Sequence, residues 1–106
     1  MADSFKILGQ TLANGVNTDL YTVPADKMAV VTVNICNRTS AAKQYRVAVT
    51  SGGAATTADY LAYDTDVQAN MIQQITGLSL QENYKIIVYG SDSNISFTVW
   101  GDEIDI

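Results

Sequence analysis

The chain has 106 residues, of which 47% are hydrophobic and 16% are charged, and its formal net charge at pH 7 is −5. This length suits one domain with a real core, so we predict that residues 1–106 form a single domain. The acidic balance and the six scattered Lys and Arg residues argue against nucleic acid as a partner, because phosphate binding needs clustered basic side chains. A charged fraction below the roughly 25% of typical soluble domains fits either a surface that meets other protein or one rich in Ser, Thr, Asn and Gln.

The sequence holds one cysteine, Cys36, and no histidine. A single thiol cannot form an intrachain disulfide, so nothing supports passage through an oxidising compartment. The first ten residues, MADSFKILGQ, lack the basic and long apolar regions of a signal peptide. No stretch approaches the roughly 18 apolar residues of a membrane span. These features predict a protein made in the cytoplasm, without a membrane partner.

Apolar and polar residues alternate with a period of two between turn-forming residues, which is typical of β-strands. The predicted strands, in chain order, are residues 5–10, 20–23, 28–36, 44–50, 60–64, 71–76, 84–90 and 95–101. Residues 24–27 predict a tight turn with Pro24 at its second position. The small, flexible stretch 51–57, which includes Gly52 and Gly53, predicts a surface loop.

The strongest strand prediction is residues 28–36, which run into the polar turn 37–40. The residues assigned to its buried face are Val31, Val33 and Ile35. Asn34 falls on the opposite face, which indicates that this face is partly exposed to solvent. We expect the turn 37–40 to close a hairpin with the strand 44–50, whose core face is predicted to carry Tyr45, Val47 and Val49.

About eight short strands separated by Gly, Asn, Asp and Ser turns predict an all-β fold, an antiparallel β-sandwich of jelly-roll or immunoglobulin-like type. A small closed barrel is the alternative, because alternation does not show whether the sheet edges meet. In the last strand, Trp100 falls opposite the core residues Phe97 and Val99, and it is a candidate interface anchor. Residues 1–6 and 102–106 predict extended ends that either reach neighbouring subunits or fray.

Residues that carry catalytic chemistry are scarce. Without histidine, the commonest general base and the usual partner of a nucleophilic Ser or Cys is missing. Cys36 is interpreted as a small buried hydrophobe, and one Cys without His cannot build the usual zinc site. Acidic residues cluster at 59–66 and 102–105, where they offer oxygen ligands for calcium but also fit ordinary turn chemistry. The sequence therefore predicts a non-enzymatic protein with no catalytic residue, cofactor or metal ligand.

Six tyrosines and one tryptophan combine an aromatic ring with a polar group. They are Tyr21, Tyr45, Tyr60, Tyr63, Tyr84, Tyr89 and Trp100. A row of exposed rings on one face of a sandwich would suit sugar stacking, whereas rings that face inward supply large buried areas with a polar handle. We interpret most of them as core or interface residues and keep carbohydrate binding as an alternative.

The stretch LYTVPADKMAVVTVNICNRTSAAKQYRVAV, residues 20–49, resembles small virion structural proteins of tailed bacteriophages, including those of cyanobacterial phages. In these proteins a segment like YTVP, a Pro-led turn with a Lys, and an alternating strand ending in CNR or TNR precede another strand. The opening FKILGQ and the closing ISFTVWGDEI are similar to the ends of such chains. Asp26 stands where Gly is expected in the turn.

The resemblance implies a β-sandwich present in many copies on a virus particle, which decorates or cements the capsid without any chemical change. A tail, baseplate or fibre-associated module is the alternative, and a carbohydrate-binding module for host recognition is a further one. The implied partners are copies of the chain itself and other virion proteins, and the implied location is the virion after synthesis in the host cytoplasm. The predicted contact residues are Asn37, Arg38, Thr39, Ser40, Gly52, Gly53, Trp100, Ile104 and Ile106.

Overall fold

Strands occupy most of residues 3–106, which are the residues that the computed structural model describes. The strands are β1 (Asp3–Leu12), β2 (Thr18–Thr22), β3 (Lys27–Asn37), β4 (Lys43–Thr50), β5 (Tyr60–Val67), β6 (Ile72–Leu80), β7 (Lys85–Gly90) and β8 (Ile95–Asp105). A short 3₁₀ turn, Thr57–Asp59, precedes β5. All eight predicted strands are therefore present, and several are longer than the sequence pattern predicts.

The eight strands pack as two antiparallel sheets of four. The first sheet has the order β1-β8-β3-β6 and the second has the order β2-β7-β4-β5. The pairs β1–β8, β2–β7, β3–β6 and β4–β5 are all hydrogen-bonded, so the chain folds like one long hairpin that is rolled around a core. This order defines a jelly roll. The predicted sandwich is confirmed, the jelly roll replaces the immunoglobulin-like alternative, and the closed-barrel alternative is wrong.

The core lies between the sheets and is built from alternate residues of each strand. In β3 and β8 buried positions alternate regularly with less buried ones over nearly the whole strand. The predicted core residues Val31, Val33, Ile35, Tyr45, Val47, Phe97 and Val99 are all buried, and so is Ile95. Val49 is partly buried and packs against the same cluster. Burial of these side chains supplies the main stabilising free energy, at roughly 25 cal/mol per Å² of apolar surface.

The connection after β3 does not close a hairpin, so that prediction is wrong. β3 pairs with β6 and β8 in the first sheet, whereas β4 pairs with β5 and β7 in the second. The segment between them therefore carries the chain from one sheet to the other. Turn residues indicate that the chain reverses, but they carry no information about which strand becomes the hydrogen-bonded neighbour.

The turn between β2 and β3 is present, but Pro24 is its first residue rather than its second. The Lys27 N–H donates to the Pro24 carbonyl oxygen at 3.3 Å. Asp26 thus takes the third position, where its φ is 64°. A left-handed residue is needed there, and Asp tolerates this conformation better than most residues other than Gly.

Within residues 3–106, neither end of the chain is a free arm, and Met1 and Ala2 lie outside the described residues. β8 extends to Asp105 and pairs with β3, and residues 3–6 of β1 pair with β8. Ile106 donates its N–H to the Asp26 carbonyl oxygen at 3.1 Å. The prediction of extended ends is therefore wrong for residues 3–6 and 102–105, because the alternation that builds β8 continues past Gly101 through the acidic residues.

Gly101 provides a test of how closely β3 and β8 approach. A Cβ at this position would lie 2.1 Å from the Val30 carbonyl oxygen and 2.7 Å from the Val31 Cα. We expect Gly101→Ala to lower the free energy of unfolding by about 3 kcal/mol, because backbone atoms must move to relieve the overlap. The matched control is Gly53→Ala, since nothing lies within 4 Å of its added Cβ, and a change within about 0.5 kcal/mol is expected. Urea unfolding measures both, and equal losses would contradict the close approach.

Candidate interaction surfaces

The predicted contact turn 37–40 divides into an exposed part and a buried part. Arg38 and Ser40 are exposed and Thr39 is half-buried. Asn37 is fully buried, so its assignment to a contact surface is wrong. It is the last residue of β3, and the alternation that buries Ile35 also turns Asn37 toward the interior.

The buried Asn37 amide acts as a hydrogen-bonding centre at the end of the sandwich. Its Nδ2 lies 2.8 Å from the Ala41 carbonyl oxygen, 3.0 Å from that of Val67 and 3.2 Å from that of Gln68, and it donates to these acceptors. Its Oδ1 accepts from the Thr39 N–H at 2.9 Å and from the Thr39 hydroxyl at 2.8 Å. The side chain thus joins β3 to the end of β5 and to the connection between the sheets.

Gly52 and Gly53 lie in an exposed loop after β4, as predicted. The Thr50 hydroxyl donates to the Gly53 carbonyl oxygen at 2.9 Å and accepts from the Gly52 N–H at 3.2 Å. This loop and the turn 37–40 lie at opposite ends of the sandwich, since one follows β4 and the other follows β3, and antiparallel strands run the length between them. The structure therefore does not combine these two predicted contact segments into one surface.

Trp100 and Ile104 do come together, on the outer side of the first sheet. In the strand register Trp100 lies between Ile7 of β1 and Thr32 of β3, and Ile104 lies beside Met28. The outward residues of these three strands form an apolar face, which we define as Phe5, Ile7, Met28, Val30, Trp100 and Ile104. Sequence reasoning found only Trp100 and Ile104 of this group.

Several members of the apolar face are strongly exposed. Phe5 is 76% exposed and Ile7 is 55% exposed, and Val30 is also exposed. Trp100, Met28 and Ile104 are half-buried by their neighbours. Cys36 lies on the same outer side, near the end of β3, and is half-buried rather than a core residue as interpreted from sequence.

The outer side of the second sheet has a different character, because charged and aromatic groups are stacked there. The Arg46 guanidinium carbon lies 4.2 Å from the centre of the Tyr63 ring and 4.7 Å from that of Tyr89. Arg46 also donates from Nε to Asp64 Oδ1 at 2.6 Å and from Nη2 to Asp64 Oδ2 at 3.3 Å. The hydrogen bond to Asp64 is the main reason that the pKa of Arg46 is raised above its ordinary value.

A β-bulge in β5 makes this arrangement possible. Tyr45 pairs with Thr65 and Val47 pairs with Ala62, so Tyr63 and Asp64 together stand opposite the single residue Arg46. Asp64 has a φ of 49°, which is the left-handed conformation that such a bulge requires and that Asp tolerates. The bulge therefore directs both a ring and a carboxylate at one guanidinium.

Tyr60 extends this group, which we call the tyrosine cluster: Tyr60, Tyr63, Tyr89 and Arg46. The rings of Tyr60 and Tyr63 meet edge to face with centroids 4.9 Å apart, and the Asn17 amide donates to the Tyr60 hydroxyl at 3.4 Å. A cavity of about 720 Å³ lies beside the cluster, and its lining residues are Ala55, Thr56, Thr57, Tyr60 and Tyr63.

A second cavity of about 620 Å³ lies at the end of the sandwich where β6 connects to β7. Its lining residues include Met28, Tyr84 and Ile106, and the Ile106 side chain is 69% exposed.

The acidic residues that were considered as calcium ligands each have another contact. Asp59 accepts from the Thr56 N–H at 2.8 Å, Asp64 pairs with Arg46, and Asp66 accepts from the Gln44 amide at 3.3 Å. Among residues 3–106, the structure groups no three His, Cys, Asp or Glu side chains as a metal site. These contacts are those of turns and strand edges.

Two tyrosines of the sandwich are held protonated by their surroundings. Burial raises the pKa of Tyr21 well above its ordinary value, and the hydrogen bond and negative charge of Glu103 raise it further. Burial also raises the pKa of Tyr45, whose hydroxyl donates to Gln73 Oε1 at 2.5 Å. Both hydroxyls therefore act as hydrogen-bond donors that link the two sheets, because each tyrosine belongs to the second sheet and its acceptor belongs to the first.

Comparison with known proteins gives no family for this chain. No family model matches it, and neither a curated protein nor a solved structure matches it. In the described part of the chain, no helix is long and apolar enough to cross a membrane.

The role of Asn37 can be tested by substitution. We expect Asn37→Ala to lower the free energy of unfolding by about 2–3 kcal/mol, because it leaves buried carbonyl oxygens without a donor. Asn34→Ala is the matched control, since Asn34 lies on the outer side of the same strand and accepts one hydrogen bond, from Gln74 at 3.2 Å. A loss of about 0.5 kcal/mol is expected for the control. Urea unfolding of both variants measures the difference, and a loss at Asn37 no larger than at Asn34 would contradict the assigned role.

Proposed function

We propose that this chain is a non-enzymatic structural protein of a bacteriophage virion, present in many copies and decorating or cementing the capsid. The observation that carries the proposal is the apolar face. Soluble monomers rarely expose a contiguous apolar patch larger than a few hundred Å², and a larger patch usually marks a contact with another macromolecule. A protein whose outer sheet surface carries Phe5, Ile7 and Trp100 together is therefore suited to assembly.

The fold and the sequence resemblance support the same class of function. Jelly rolls build viral capsid proteins as well as lectins and cupins, so the architecture is compatible with a virion role, although this is an analogy at the level of the fold. The resemblance of residues 20–49 to small virion proteins selects among these classes. Within the virion, a tail, baseplate or fibre position would use the same surfaces and is the alternative location.

The proposal that the chain is not an enzyme rests on the chemistry of its side chains. The sequence has no histidine, and the carboxylates of Asp59, Asp64 and Asp66 are engaged as a cap, an ion pair and an amide acceptor. An acid–base pair for hydrolysis would instead need carboxyl groups that face each other across a substrate. The tyrosine cluster is likewise a stacked and hydrogen-bonded assembly with no nucleophile at its centre.

A carbohydrate-binding role is the second candidate, and the tyrosine cluster favours it. Tyr63 is 57% exposed, and it borders the 720 Å³ cavity together with Tyr60 and the hydroxyl-bearing Thr56 and Thr57. Exposed rings beside hydroxyl groups are suited to the apolar and polar sides of a sugar. Here the cluster would recognise a host glycan while another surface holds the protein on the particle.

The virion proposal predicts that the purified protein is a component of intact particles. Particles from a culture that produces the chain should contain it at a copy number comparable to that of a major shell or tail protein, as measured by quantitative mass spectrometry after density-gradient purification. Electron microscopy of the same particles then separates capsid from tail. Absence of the chain from particles would overturn the proposal, and a position on the tail would overturn only the capsid assignment.

The carbohydrate proposal predicts that the protein binds a subset of sugars on a glycan array. We expect Tyr63→Ala to weaken that binding about fivefold or more, because one stacking ring is lost. Leu61→Ala is the matched control, since Leu61 is another exposed residue of β5 and does not line the cavity. An array without any hit would rule out this second function and leave the structural role unaffected.

A further inference from the structure

We propose that the apolar face is the docking surface for a second copy of this chain, so that two sandwiches pack with their first sheets face to face about a two-fold axis. This inference rests on the proposed function, in which many copies of the chain lie on one particle, and it names the surface and the partner. A two-fold contact uses the same patch on both chains, so each residue of the face meets a residue of the same face.

The composition of the face favours a buried contact. Its centre is mostly apolar: Ile7, Trp100 and Thr32 are neighbours in one row, and in the next row Phe5 and Val30 lie on either side of one charged residue, Asp102. Toward β6 most outward residues are polar, with Gln74 beside Asn34 and Ser79 beside Val30, and the exposed Ile72 beside Cys36 is the apolar exception. An apolar centre with a large aromatic residue and a polar rim is the usual composition of a specific protein interface.

The distribution of charge points to a second copy as the occupant. The chain carries a net charge of −5, so two copies repel each other at most orientations. The register places residues of β8, of β3 and of β1 from Phe5 to Leu12 on the outer side of the first sheet. Among these outward residues, Asp102 is the one with a charged side chain. The outer side of the second sheet, by contrast, carries the ion pairs Arg46–Asp64 and Lys85–Asp19. Contact through the apolar face therefore brings fewer charged side chains together than contact through the outer side of the second sheet.

The first sheet, which carries the face, has the size that a stable contact needs. Its four strands, spaced about 4.8 Å apart and each about ten residues long at roughly 3.4 Å per residue, cover on the order of 600 Å², polar rim included. Two opposed first sheets would therefore bury on the order of 1,200 Å², which reaches the lower range of specific protein–protein interfaces. The sheets of one sandwich already show that such surfaces pack well, since aligned sheets interdigitate their side chains about 10 Å apart.

Contact through the face is favoured over pairing through the edge of β1. Edge strands are commonly protected from pairing by a bulge and by an inward-pointing charge, and β1 has both. Its register with β8 shifts between Ile7 and Gly9, and Lys6 stands opposite Gly101, on the inner side. The Lys6 ammonium lies 3.9 Å from the carboxylate of Glu103, which is buried between the sheets. The exposed apolar residues Phe5 and Ile7 point outward instead, where a sheet-to-sheet contact would bury them.

Sedimentation equilibrium of the whole chain tests the inference. We expect the unmodified protein to sediment with twice the mass of one chain at high concentration, with a dissociation constant in the micromolar range or tighter. Ile7→Glu places a charge within the face, beside Trp100, and is expected to raise that constant about tenfold or more. Leu61→Glu is the matched control, because Leu61 is 49% exposed on the edge strand of the other sheet, and it should leave the constant unchanged.

The single tryptophan gives a second measurement that does not depend on any variant. Trp100 lies within the proposed contact, so its quenching by acrylamide should decrease as the concentration of unmodified protein rises. In Ile7→Glu the quenching should stay at the level of the dilute protein, and circular dichroism verifies that this variant is folded. Protection of Trp100 that follows the change in mass would support the assigned surface.

The outcomes separate this inference from the proposed function. A chain that stays monomeric at all concentrations, or a dimer that Ile7→Glu and Leu61→Glu weaken equally, would overturn the face-to-face contact. Either result is compatible with a chain that is found on particles, in which case the proposed function stands and the inference fails. A dimer that dissociates only in Ile7→Glu supports the inference even where the chain is absent from particles.

Discussion

The pairing of β3 with β8 is the constraint on which the rest of the structure depends. The two strands run antiparallel over eleven residues each, from Lys27 opposite Asp105 to Asn37 opposite Ile95, without a shift in register. One register over this length fixes which side chains of both strands enter the core and which face outward. It also brings together segments that are far apart in the sequence, so β1 and β6 can be placed only once this central pair exists.

The sequence pattern predicts the local features of this fold and misses the non-local ones. Alternation within β3 identifies Val31, Val33 and Ile35 as core residues, because successive side chains of a strand point to opposite faces of the sheet. Asn37 was missed because a polar residue before a turn resembles an exposed one, and only the positions of Val67 and Gln68 show that partners for its amide exist inside. The apolar face was missed for a related reason. Phe5 and Val30 are ordinary outward residues in their own strands, and they become one surface only when β8 lies between them.

Polar groups inside the sandwich join its two sheets in addition to the apolar core. Tyr21 of the second sheet donates its hydroxyl hydrogen to Glu103 of the first, and Asn37 at the end of β3 donates to the carbonyl oxygen of Val67 in β5. Each such group would be costly if it were buried without a partner. In the described part of the chain no buried side-chain nitrogen or oxygen atom lacks a hydrogen-bond partner. These interactions fix how one sheet sits on the other, which hydrophobic burial alone specifies less strictly.

The two outer sides of the sandwich differ in a way that gives each a separate role. If a second copy covers the apolar face, the first sheets lie at the centre of a four-layered assembly and both tyrosine clusters face outward on opposite sides. The exposed residues Arg38 and Ser40 and the loop at Gly52 then remain at the two ends, where they are free to meet a shell or a tail protein. The loops that the sequence predicted as contact surfaces would thus serve contacts with other proteins. Copies would meet through strands, whose rigid spacing holds Ile7 and Trp100 in place before any partner arrives.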